Sequence, residues 1–156
     1  MPKNLVRILI LASLLFQQIY FANPVRAITA TALSPADGAT DVTVSDNLVI
    51  TLDESWTNMG GGNIKIYKSD DTLVFTYASN ASEVTGGGSS TVTINPASDL
   101  DAGTGYYVKI EANAIMDQMM MNDYTISDTT TWDFTTAGGD TTAPTVSTYN
   151  PTDGAT

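Results

Sequence analysis

The side chains of this 156-residue chain that could do chemistry are almost all oxygen donors. It holds 17 Asp and Glu residues and neither His nor Cys. Serine–histidine and cysteine–histidine nucleophiles, and metals bound by imidazole or thiolate, are therefore excluded from the outset. Paired carboxylates can cleave glycosidic bonds, but only in a cleft that raises the pKa of one of them. Here the acids fall mainly in turn-like segments, where solvation is the default. What remains is coordination of a hard cation. Calcium takes several oxygens from carboxylates, amides and carbonyls carried on loops. Asp53 and Glu54 end one alternating segment, Asp117, Asp123 and Asp128 (with Asn122) precede another, and Asp140 lies beyond it. No EF-hand spacing is present, and the bland reading of the same residues is a set of solvated acidic loops. No cofactor is required; calcium is the one to be weighed.

The elements that must carry these residues read as strands. Asn47-Leu48-Val49-Ile50-Thr51-Leu52 alternates, with Leu48, Ile50 and Leu52 on one face. The segments at residues 63–68, 72–78, 90–95, 106–112 and 130–136 repeat the same period of two. Turn chemistry separates them: Pro35-Ala36-Asp37-Gly38, the glycine runs at 60–62 and 86–88, and Ala102-Gly103. Neither glycine run is followed by the Lys-Ser/Thr of a phosphate loop, so both are turns. Residues 112–116 are the one place where a single helical turn is expected. The fold class is thus all-β, an Ig-like antiparallel sandwich of about seven strands.

One spacing sharpens this. Leu100-Asp101-Ala102-Gly103-Thr104-Gly105-Tyr106 sets a turn glycine and a tyrosine at the start of an alternating strand. In Ig-like sandwiches such a tyrosine folds its hydroxyl back onto the preceding corner. Tyr106 takes that role, Trp132 and Phe134 are large core residues on the last strand, and Tyr107 faces away with Lys109 and Glu111. An alternative use of aromatics is stacking on sugars, which needs an exposed row; Trp56, Tyr67, Tyr77 and Tyr107 are the candidates.

Together the segments LSPADGATDV, NLVITLDESWTNMGGGNIKIYKSDD, VTGGGSSTVTINPASDLDAGTGYYVKIEANAIMD and TTTWDFTTA resemble the bacterial Ig-like repeat family first described in S-layer proteins. The resemblance covers about residues 31–137. It implies a secreted or cell-surface domain that recurs in tandem as a spacer or stalk, with no activity of its own. The sequence departs from the family after Asp117, where a glycine-asparagine turn is usual. Gln118-Met119-Met120-Met121-Asn122 stands there instead, so the tight turn is not assured and at least one methionine must be exposed.

The ends of the chain give the expected domain organisation. Lys3 and Arg7 precede the nine-residue apolar run ILILASLLF, and a more polar stretch leads to Val25-Arg26-Ala27. That is the layout of a signal peptide at 1–27, too short in its apolar run to span a bilayer. Its removal leaves 3 basic against 17 acidic groups, a formal charge of −14, which repels nucleic acid and anionic membranes alike. Lacking cysteine, the exported chain has neither disulfides nor an acylated anchor. An Ig-like domain is expected over 28–137 and a polar linker over 138–144. Residues 149–156, YNPTDGAT, repeat LSPADGAT of residues 33–40 at an offset of 116, with five of eight positions identical. Residues 145–156 accordingly read as the opening of a second repeat. The expected function is a non-catalytic spacer whose partners are neighbouring repeats of the same chain, with a cell-surface glycan or protein as a further partner. The alternatives are an accessory domain of a secreted hydrolase and a carbohydrate-binding module.

Overall fold

The computed structural model describes residues 26–59, 61–139, 142–145, 148 and 150. The segment before Arg26, expected to be a signal peptide, together with Asp140 and residues 151–156, lies outside them. Among the described residues no helix is long and apolar enough to cross a membrane. The described residues form eleven strands: β1 (Ala30–Ser34), β2 (Ala39–Val42), β3 (Leu48–Leu52), β4 (Trp56–Thr57), β5 (Asn63–Lys68), β6 (Leu73–Ala78), β7 (Val84–Thr85), β8 (Thr91–Ile94), β9 (Gly105–Asp117), β10 (Asp123–Ile126) and β11 (Asp133–Thr136). They form an Ig-like sandwich of two sheets. The smaller has the order β1-β3-β8-β7 and the larger β2-β11-β9-β5-β6, with β4 and β10 also paired to β9.

The alternation seen in the sequence decides which side chains fill the space between the sheets. Leu48, Ile50 and Leu52 of β3 meet Ile64 and Ile66 of β5, Val92 and Ile94 of β8, and Tyr106, Val108 and Ile110 of β9 in one buried cluster. Each such side chain contributes roughly 1.5–3 kcal/mol on burial. Trp56, Trp132 and Phe134 are fully buried beside them. The indole N–H groups are not stranded: Trp56 Nε1 donates to the Thr91 carbonyl at 3.0 Å and Trp132 Nε1 to that of Pro35 at 2.8 Å.

The centre of the larger sheet is β9. Its first half pairs with β5 on one side (Ile66↔Val108) and β11 on the other (Phe134↔Tyr106). Its second half pairs with β4 (Thr57↔Met116) and β10 (Asp123↔Met116). Residues 112–116 are therefore strand, not the helical turn expected. The expectation failed because Asn113 has a φ of +63°, a bulge that breaks the alternation: Ala114 and Ile115 are both buried although adjacent. Asp123 Oδ2 accepts the Asn113 N–H at 3.0 Å and holds the bulge.

Glycine serves closeness here as well as turning. A Cβ on Gly62 would stand 2.3 Å from the Ala112 carbonyl, so only glycine lets the start of β5 lie against the bulge. Gly86, at φ +99°, likewise has the Thr91 carbonyl 2.0 Å from where a Cβ would be.

At the other end of β9 the Tyr106 hydroxyl accepts the Asp101 N–H at 2.9 Å, the tyrosine corner of Ig-like folds. Beyond Asp117 the chain turns tightly even without the family's glycine. Met120 N–H bonds to the Asp117 carbonyl at 3.0 Å, Met121 N–H to Asp117 Oδ1 at 2.9 Å, and Met120 takes up the left-handed conformation at φ +56°. Two stability changes follow from these corners. Tyr106→Phe, which loses one hydrogen bond and little volume, will lower the unfolding free energy by about 1 kcal/mol in urea titration. Met120→Gly, which relieves a left-handed non-glycine residue, will raise it by about 1 kcal/mol.

Candidate functional site

Of the carboxylates picked out for calcium, the described ones other than Glu54 are each committed to hydrogen bonds in their own neighbourhood. Asp53 sits where β3 ends. Its Oδ1 accepts the Thr29 N–H at 2.9 Å, and its Oδ2 takes the Thr29 hydroxyl at 2.8 Å and Arg26 at 2.5 Å. Asp117 closes the methionine turn, with Asn122 Nδ2 on its Oδ2 at 2.7 Å. Asp123 is committed to the Asn113 bulge. Asp128 caps the loop before β11, its Oδ1 accepting the N–H groups of Thr130 and Thr131 at 2.9 and 2.7 Å. Glu54 is the exception, with a buried Oε1 that has no hydrogen-bond partner. Among the described residues no three carboxylates gather as a metal would require.

Electrostatics point the same way. Where the fold moves a carboxylate's pKa, it moves it down. Asp53 is lowered first by the Thr29 backbone, Asp117 by the Met121 N–H, Asp70 by Thr72, and Glu111 by Lys65 and then Asn63. The Thr130 and Thr131 donors hold Asp128 at about 2. A hydrolytic general acid needs the opposite shift.

The four aromatics considered for sugar stacking do not form an exposed row. Trp56 is fully buried, with Asp117 as its partner across the β4–β9 pairing. Tyr77 is buried with its hydroxyl accepting the Ala97 N–H at 2.8 Å. Tyr67 and Tyr107 do lie on the outer face of the sheet, but they stack on each other, with centroids 5.1 Å apart and planes 8° from parallel. Lys109 lies astride the pair, its Nζ 5.5 and 5.7 Å from the two centroids. Tyr107 is only 5% exposed, and its hydroxyl donates to Asp71 Oδ1 at 2.7 Å. Burial and then that bond push its pKa up to about 12. The reason is geometric: Tyr67 and Tyr107 are direct cross-strand partners, so each ring finds the other before a ligand can.

Sequence reasoning did not single out Asp71 or Asp133, which line an open groove of about 560 Å³ beside Tyr107. They are brought together by the pairing of β9 with β5 and β11, which no local signal encodes. The groove is lined by the hydroxyls of Ser69, Thr129 and Thr135 beside these carboxylates, and Asp71 accepts the Tyr107 hydroxyl.

The lowered carboxylates fix the acid behaviour. A group whose folded pKa is depressed contributes stability above its unfolded value and loses it as the pH falls through the folded one. For Asp128 that window runs from 3.8 down to about 2. Thermal melts will therefore show a midpoint that declines below about pH 4, and Asp128→Ala will flatten the most acidic part of the decline.

Residues 24–136 match the family model of the bacterial Ig-like domain. Every strand of the structure lies within that span. Among solved structures, CopC from Methylosinus trichosporium OB3b aligns with a TM-score of 0.54 and 14% identity, over 74% of this chain and 99% of that one. Domains 1–6 of the surface layer protein SbsC align with a TM-score of 0.49 and 14% identity, over 72% of this chain and 14% of that one. The S-layer protein rSbsC(31-844) aligns with a TM-score of 0.46 and 15% identity, over 72% and 14%. No curated protein sequence matches the chain. At such identities the likeness to CopC is one of fold alone. The match to the family model covers well over half the sequence, and this chain belongs to the bacterial Ig-like domain family.

Proposed function

We propose that the chain works as a non-catalytic structural domain, a spacer in a secreted or cell-surface bacterial protein. The observation that carries this reading is where the chain enters and leaves. Thr29, just after the expected cleavage point, lies at the Asp117 end of β9: it is bonded to Asp53, three residues before the Trp56 that pairs with Asp117. Ala137 lies at the opposite end, bonded to Val42 and to Gly103 beside the tyrosine corner. Entrance and exit are thus separated by the full thirteen residues of β9, roughly 40 Å at about 3.3 Å per residue. A domain strung in this way adds length to a chain rather than folding it back.

The strand directions suit a mechanical part. Tension on the two ends pulls β1 along its antiparallel pairing with β3, and β11 along β9 and β2. The hydrogen bonds are loaded together instead of being peeled one at a time. Export by the signal peptide at 1–27, and neighbouring repeats as partners, fit this role. In it no cofactor is needed; of the acids weighed for calcium, Asp53, Asp117, Asp123 and Asp128 already cap the domain's own backbone.

Single-molecule pulling between the two ends of the domain tests the reading. It should unfold in one step at a force well above that of a peeled hairpin. Thr135→Pro, which strips an N–H from a strand paired on both sides, should lower that force. Stepwise yielding at low force, or turnover of a glycan or peptide substrate by the isolated domain, would overturn it.

A further inference from the structure

The methionine turn is left unexplained by a spacer role. Four of the chain's six methionines fall within residues 116–121. Met119, Met120 and Met121 are 78%, 52% and 65% exposed, at the very end of the β9–β10 hairpin. A folded domain gains nothing from three adjacent apolar side chains in water. Met120 is costly in a second way, since it holds a left-handed conformation that glycine adopts freely. Neither feature stabilises the sandwich, and together they place three thioethers on one strained turn.

We propose that this turn is a thioether site for a soft monovalent cation, of which the cuprous ion is the biological example. Thioether sulfur is a soft donor that selects Cu(I) over hard cations. In a chain without His or Cys it is the soft donor available. Consecutive Cα atoms lie about 3.8 Å apart and each methionine arm has three rotatable bonds, reach enough for three neighbouring sulfurs to close on one ion. Strand alternation would send Met120 to the opposite side from its neighbours; the left-handed turn at Met120 removes that alternation. Hard cations find little here. Both oxygens of Asp117 are taken, by the Met121 N–H and by Asn122 Nδ2, and Asp123 is bonded to Asn113. The chain's formal charge of −11 still draws cations of every kind toward the surface, and the donor atoms at the turn sort them.

Silver(I) in nitrate buffer is the probe, being soft, monovalent and inert to redox. The chain is labelled with 13C at the methionine methyls and titrated. The methyls of Met119, Met120 and Met121, assigned by single Met→Leu changes, should shift together and saturate at one ion, while calcium and zinc leave them unmoved. The triple change to Leu should abolish binding with an unaltered circular dichroism spectrum. Met120→Gly separates the site from stability: it should make the domain more resistant to urea, yet weaken silver binding about tenfold, the loss of one donor. Methyls unmoved by excess silver, shifts confined to Met59, or undiminished binding by the triple variant would each overturn the proposal.

Discussion

The rest of the structure depends on the pairing of β9 with four other strands. Residues 105–107 pair with β11 and 106–110 with β5, while 116–117 pair with β4 and Ile110, Ile115 and Met116 with β10, so the strand is held toward both of its ends. A strand so placed cannot shift register by one residue without turning Tyr106, Val108 and Ile110 out of the core. The two ends of β9 are then pinned by different chemistry. At one end the Tyr106 hydroxyl holds the corner at Asp101. At the other the carboxylate of Asp117 organises the turn that follows. Both ends of the central strand are thereby held without disulfides, in a chain that has no cysteine.

The polar groups follow a consistent pattern. Carboxylates on loops accept backbone N–H groups close by in the chain or across a single strand gap, as Asp53, Asp123 and Asp128 do. Of the three described lysines, Lys65 and Lys68 pair with Glu111 and Asp101, and Lys109 lies over two tyrosine rings. Such groups serve the scaffold itself.

Much of this was legible from residues 47–110. Leu48, Ile50, Leu52, Ile64 and Ile66 face inward because a period of two in a half-buried strand allows nothing else. The role of Tyr106 followed from a turn glycine three residues before it. What escaped was the far half of β9. The bulge at Asn113 reverses the alternation there, and Gly61 and Gly62 are small because they lie against that bulge, not because the chain turns. Both facts belong to a contact between residues about fifty positions apart. The same holds for the outer-face tyrosines. Their types suggested a platform, whereas their cross-strand register made them a stacked pair.

The sequence by itself determined the class of this protein: two apolar-faced sheets, turns at the glycines, no imidazole or thiol, and an acidic exterior. These are consequences of composition and of short-range periodicity, which act within a few residues. Tertiary structure alone decided which acids could share a ligand, which aromatics would be covered, and that the chain enters and leaves at opposite ends of one strand. Those outcomes depend on the register between strands distant in sequence. Register is set by the whole packed interface rather than by any segment that can be read in isolation.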